Sequence, residues 1–140
     1  MLFRIADTEY VLPAHDVLHM EPFEGATRVP GAPEYVAGLM QIRRRVVPII
    51  DLRVRFGLQA ATPALDSRVI VVQSGERAVG LLVDSAREIL SIPADQFRPP
   101  PDLIVEQASG YVTSVAQTGA RLLMLIDFRK VIGEEVPNGK

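Results

Sequence analysis

The chain has 140 residues and a mass of 15.4 kDa, with 48% hydrophobic and 23% charged residues, the proportions of a packed domain and not of a disordered tail. Lys and Arg number 15 against 17 Asp and Glu, a net charge of −2, which argues against a general nucleic-acid binder working by phosphate neutralisation. The absence of cysteine excludes disulfides, thiolate nucleophiles and sulfur-bound zinc, and two histidines are too few for most imidazole metal sites.

In chain order the apolar runs are short and rich in β-branched residues. Strands are predicted at Leu2–Ile5, Tyr10–Leu12, Gly38–Ile42, Val46–Ile50, Arg68–Val72, Ala78–Val83, Val112–Ala116 and Leu122–Ile126. Turn chemistry separates them at Asp7-Thr8-Glu9, Arg43-Arg44-Arg45, Ser74-Gly75-Glu76-Arg77 and Thr118-Gly119-Ala120. Many short strands on hairpin-length loops predict an antiparallel barrel or sandwich. Pro48 cannot donate to a ladder, so its strand is expected at an edge or with a bulge. Asp51 and Asp127 follow strands and are placed to cap short helices, Leu52 to Phe56 and Phe128 to Ile132, which stop at Gly57 and Gly133. A further single turn is expected at Ala94 to Phe97, before the extended Pro99-Pro100-Pro101, and Gln59 to Ala64 reads as a linker. No apolar run approaches the ~20 residues of a membrane span, and the N-terminus lacks a secretory apolar core, so a cytoplasmic protein without direct membrane insertion is expected.

An internal repeat organises these pieces. Tyr35 to Arg53 aligns without gaps on Tyr111 to Arg129, matching Tyr35/Tyr111, Val36/Val112, Gln41/Gln117, Arg45/Arg121, Ile50/Ile126, Asp51/Asp127 and Arg53/Arg129, followed by Gly57/Gly133. A weaker echo sets Leu12-Pro13 to Met20 against Leu81-Leu82 to Ile89. Two copies of one small β unit are implied, each too small to be stable alone and therefore packed on the other.

Phe3-Arg4-Ile5 with Tyr10-Val11-Leu12-Pro13, then Ala32 to Gly38, then Arg43 with Val46-Val47-Pro48-Ile49-Ile50-Asp51-Leu52-Arg53 and Phe56-Gly57, and finally Val79 to Asp84, together resemble the CheW family of chemotaxis coupling proteins along the whole chain. The resemblance implies an all-β, CheW-like fold: two packed five-stranded SH3-like barrels with short connecting helices. It implies a single domain over 1–140, with sub-barrel halves near 10–62 and 66–133 and terminal segments exchanged between them. It also implies a non-catalytic scaffold or adaptor in two-component signal transduction. Such an adaptor couples the cytoplasmic tip of methyl-accepting chemoreceptors to the regulatory domain of a CheA-type histidine kinase, without cofactor, metal or nucleic acid. The alternative is a CheW-like regulator that binds the kinase but not the receptor, in a twitching or surface-sensing system. Positions matching the family's receptor groove are Val17, His19, Gly38, Arg43, Ala86 and Ile89, and those matching a kinase contact are Arg98 and Leu103.

The residues also depart from the family pattern. A glutamate that usually pairs with the arginine matching Arg43 is replaced by His19, which leaves Glu88 as an expected substitute partner. A position often filled by glycine holds Arg44, which predicts a different turn or backbone strain. Catalytic readings are weak. His15 and His19 lack third and fourth ligands at any metal-site spacing, the serines stand in no nucleophile-elbow pattern, and no glycine-rich phosphate loop occurs. Asp51 and Asp127, repeat-related carboxylates, are explained as helix caps. Arg43-Arg44-Arg45 reads either as a solvated hairpin tip or as an anionic-partner contact.

Overall fold

The structure, a computed structural model, describes residues 1–87, 92–100 and 110–133. Short runs, some alternating and some, as in β6 and β7, continuously apolar and buried on both faces, build the strands β1 (Leu2–Ile5), β2 (Thr8–Val11), β3 (Val17–Pro22), β4 (Val36–Ile42), β5 (Arg45–Asp51), β6 (Arg68–Ser74), β7 (Arg77–Val83), β8 (Ser85–Arg87), β9 (Phe97–Arg98), β10 (Val112–Thr118) and β11 (Arg121–Ile126). Two short helices, α1 (Leu52–Arg55) and α2 (Phe128–Ile132), follow β5 and β11. The aspartates before them cap as expected: Asp51 Oδ1 accepts from the Arg53 amide at 2.9 Å, and Asp127 Oδ1 from the Arg129 amide at 3.0 Å. Single 3₁₀ turns at Ala14–Asp16 and Ala94–Gln96 each begin after a proline. Among the described residues no helix is long and apolar enough to cross a membrane.

The strands form a five-stranded sheet, order β3-β6-β7-β5-β4, and a six-stranded sheet, order β8-β1-β2-β11-β10-β9. The fold is all-β as predicted, but the ladders leave both sheets open where closed barrels were expected. The repeat nevertheless extends to the hydrogen-bond register. The β4–β5 pairing of Leu39 with Pro48 recurs 76 positions on as Val115 with Met124, and each hairpin carries a bulge at the same place, between Val36 and Gly38 and between Val112 and Ser114. The parallel pairing of Ile49 with Gly80 recurs as Leu125 with Val11, and that of Val17 with Val72 as Ala86 with Phe3. The weaker echo is therefore structural too: β6-β7 corresponds to β1-β2, and β3 to β8. The sixth strand β9 adds to β10 through Val115–Arg98, and in the other sheet an isolated bridge between Thr27 and Leu39 occupies the same place.

Three apolar clusters follow from this doubling. The largest lies between the sheets and draws Phe3, Ile5 and Leu12 from the N-terminus, Ile70, Val72, Val79 and Leu81 from the first sheet, and Ile126, Phe128 and Val131 from the C-terminal repeat. At ~1.5–3 kcal/mol for each large side chain fully buried, this shared core is what holds two units that are marginal alone. Each sheet has its own smaller cluster on the opposite face, around Ile49, Val69 and Val71 in one and Leu2, Val11 and Leu123 in the other.

Two expectations need correction. Pro48 is on neither an edge strand nor the bulged strand, since β5 has β4 on one side and β7 on the other. It is tolerated because pairing with β7 begins only at Ile49, so no ladder donor is required at residue 48 on that side. Strand β3 was not predicted, because it turns its polar residues inward and its apolar ones, Leu18 and Met20, outward.

Candidate functional site

The positions anticipated as a receptor groove fall into two groups. Val17 on β3 and Ala86 on β8 are repeat-equivalent, 69 positions apart, and each packs from its own edge strand against the shared core. They flank the sheet–sheet junction from related sides. Ile89 and Leu103, like Glu88, lie outside the described residues.

The second group gathers on the other face of the first sheet. His19 and Glu21 stand opposite Val71 and Val69 of β6, two residues apart on one strand and so on one side of it. Arg43, at the β4–β5 turn, reaches across the open seam of the sheet and donates from Nε to Glu21 Oε2 at 3.1 Å. The expected substitute partner for Arg43 was Glu88; the partner found is Glu21, on the same strand as His19. His19 Nδ1 is 2.9 Å from that same carboxylate oxygen but off the line that a hydrogen bond needs, and among the described residues this buried nitrogen has no hydrogen-bond partner. One carboxylate oxygen thus serves a guanidinium and faces an imidazole. The signal for Glu21 was the spacing of two, which only a strand assignment for β3 would have exposed.

Gly38 is fully enclosed. Its φ of +145° favours glycine, and a β-carbon there would sit 2.3 Å from the carbonyl oxygen of Thr27. What this residue offers is close passage of backbone past backbone, which lets Thr27 and Leu39 exchange hydrogen bonds of 2.9 and 2.8 Å across the seam. The adjoining turn holds both Arg43 and Arg44 left-handed, at φ 49° and 69°. Two-residue hairpins of this type favour Asn-Gly, and a bulky residue costs ~1–2 kcal/mol there, so the strain expected of Arg44 is present and shared with its neighbour.

Arg98 is exposed on β9, beside an open, polar depression of about 450 Å³ that it lines with Asp95, Gln96, Gln117 and Gly119. Elsewhere, Asp84 accepts from the Ala6 amide at 2.7 Å and from Arg53 Nε at 2.9 and 3.1 Å, pinning the β1–β2 turn to α1. Burial pushes the Asp51 carboxyl up, against its amide bonds, and the Asp84 charge adds to the rise. Arg55 marks the junction of the halves. Its guanidinium lies 4.1 Å from the ring centre of Tyr35 and 5.3 Å from that of Tyr111, the repeat-related tyrosine, while Nε donates to the Val131 carbonyl at 2.7 Å. Val131 is the repeat counterpart of Arg55 itself, so the two repeats place an arginine and a valine at equivalent positions, in contact with each other. Among the described residues no group of three or more His, Asp and Glu is arranged to hold a metal ion.

The family model of the CheW-like domain matches residues 1–136. The chemotaxis protein CheW of Klebsiella aerogenes is 34% identical over 135 residues, covering 96% of this chain and 81% of that protein. Its counterpart in Rhizobium meliloti is 32% identical over 133 residues, 95% of this chain and 86% of the relative. The crystal structure of the scaffolding protein TtCheW from Thermoanaerobacter tengcongensis superposes with a TM-score of 0.87 at 29% identity, covering 99% of this chain and 92% of that one.

Proposed function

Since the chain belongs to the CheW family, we propose that it joins a chemoreceptor's cytoplasmic tip to the regulatory domain of a CheA-type kinase, within cytoplasmic receptor arrays. The coarser statement needs no proposal: it is a non-catalytic scaffold of chemotaxis signalling, as its relatives are. In our reading the receptor helices dock along the sheet–sheet junction, against Val17, Ala86 and Ile89, with Gly38 giving the close backbone and His19 and Arg43 the polar rim. The observation that carries this reading is the Glu21 carboxylate holding Arg43 across the seam, which orients an arginine whose side chain is 67% exposed before any partner arrives. A preset charge beside apolar edges suits helix-in-groove recognition, where the charge sets register and the apolar strip supplies affinity. Kinase binding is assigned to Arg98, exposed on the edge strand β9 of the second sheet, and, by the family resemblance alone, to Leu103.

The test is a titration of the full chain against two ligands of the same cell, a receptor-tip hairpin and the kinase regulatory domain. Both are expected to saturate. Arg43→Glu should weaken the receptor tip about tenfold, the equivalent of ~1.4 kcal/mol, and leave the kinase nearly unchanged. Equal affinities of mutant and wild type for the receptor tip would sink the groove assignment. Binding to the kinase alone would favour the regulator reading.

A further inference from the structure

Arg43, Arg44 and Arg45 follow one another at the β4–β5 hairpin tip but are not equivalent. Arg43 is engaged with Glu21, and Arg45 donates to the carbonyl of Glu76 at 3.3 Å. Arg44 is exposed and makes no hydrogen bond or ion pair to any described residue, although its backbone is held in the strained left-handed region. The repeat-related hairpin, Thr118-Gly119-Ala120-Arg121, and the β6–β7 hairpin place glycine, Gly119 at φ 63° and Gly75 at φ 61°, at the first turn position, the one Arg43 fills, and neither holds its second turn residue, Ala120 or Glu76, left-handed as Arg44 is. Glycine would relieve residue 44, and among the described residues no contact of the side chain accounts for its being an arginine. Strain held at a position with no internal use points to an external one. Two residues further on, Val46 is 68% exposed, so a largely uncovered apolar side chain follows the cation closely along the chain.

We infer that Arg44 is a specificity-determining contact that reads an acidic side chain, Asp or Glu, on the receptor-tip helix, with Val46 packing against that helix's apolar face. The inference rests on the receptor-coupling reading above and deepens it. Arg43 is engaged by its own carboxylate and orients, while Arg44, unpaired among the described residues, discriminates. A receptor tip with a neutral or basic residue at the facing position loses this contact and, if basic, is repelled.

Arg44→Gly separates a binding role from a structural one, because the two effects run in opposite directions. Relief of the turn should raise the folding equilibrium constant about two- to fivefold after the entropy cost of glycine is counted. Affinity for the receptor-tip hairpin should fall about tenfold, with a shallower salt dependence than wild type, and affinity for the kinase regulatory domain should hold within about twofold. Arg44→Asn, neutral but tolerant of the left-handed turn, should lose the same receptor affinity. Wild-type receptor affinity in both variants overturns the inference and leaves the coupling reading standing. So does an equal loss towards receptor and kinase, which marks a general field of positive charge. A wild-type chain that binds no receptor tip removes the coupling reading and this inference with it.

Discussion

Gly38→Ala isolates how much the seam of the first sheet contributes to stability. Gly38 and Gly57 both have positive φ, +145° and +88°, but a β-carbon at Gly57 meets nothing within 4 Å, whereas one at Gly38 meets the Thr27 carbonyl oxygen at 2.3 Å and its carbon at 2.7 Å. Alanine at either position therefore carries a backbone penalty of ~1–3 kcal/mol. Only at Gly38 must the Thr27 backbone also move, which breaks the paired hydrogen bonds between Thr27 and Leu39, each worth ~1 kcal/mol net. The difference between the variants should be about 2 kcal/mol, with Gly38→Ala the more damaging. Urea unfolding followed by far-UV circular dichroism measures the difference, and amide exchange at Thr27 and Leu39 shows whether the bridge has opened. Equal destabilisation by the two alanines, with both amides still protected in Gly38→Ala, would refute the reasoning.

Other expectations are narrower. Arg55→Met should cost ~2–3 kcal/mol, from the ring contacts with two tyrosines and the lost bond to Val131, and Tyr35→Leu in that background should cost less than in wild type, read by a double-mutant cycle. Asp127→Ala should destabilise by ~1 kcal/mol in urea titration through loss of a helix cap. Burial raises the Asp51 carboxyl in the folded state, so its contribution favours folding below the unfolded value and is lost as pH rises through the folded one; Asp51→Asn, which keeps the cap, should gain stability at pH 7 and lose that gain at pH 3.5. The opposite holds for Glu9, whose carboxyl the Arg121 guanidinium holds down. Glu9→Gln should be less stable than wild type at neutral pH, and the deficit should disappear as acid carries wild-type Glu9 through its folded value. A deficit independent of pH would sink the assignment to that ion pair.

The parts of the fold legible in the sequence are those where local chemistry and burial agree. Asp51 and Asp127 precede short helices, and glycines end them, because capping is decided within a few residues. The Tyr35/Tyr111 repeat was legible because identical demands, a bulge, a cap and a parallel neighbour, fall at the same offsets. Strand β3 was not, since the alternation rule assumes that the buried side is apolar, and here it carries His19 and Glu21. The two residues of β9 and three of β8 are too few to show any period. At the candidate site, Arg43 was legible from the family resemblance, but its contact with Glu21 was not, and Glu88, the partner expected, lies outside the described residues. Contact between β3 and the β4–β5 turn depends on how far the sheet curls, and a pattern along one strand holds no record of that.

The position of the N-terminal hairpin has a consequence for synthesis. Residues 2–11 form β1 and β2, yet they sit in the interior of the sheet whose other strands begin at Ser85 and end at Ile126. A nascent chain therefore releases its first hairpin from the ribosome with no partner available and must keep it unpaired until most of the protein has been made. Meanwhile Val17 to Val83 contains every strand of the other sheet, so that sheet is free to form cotranslationally. In a crowded polysome the waiting hairpin is the segment most open to capture by a neighbouring chain. A domain-swapped dimer exchanging residues 1–12 is the misassembly to expect when the protein is produced too fast.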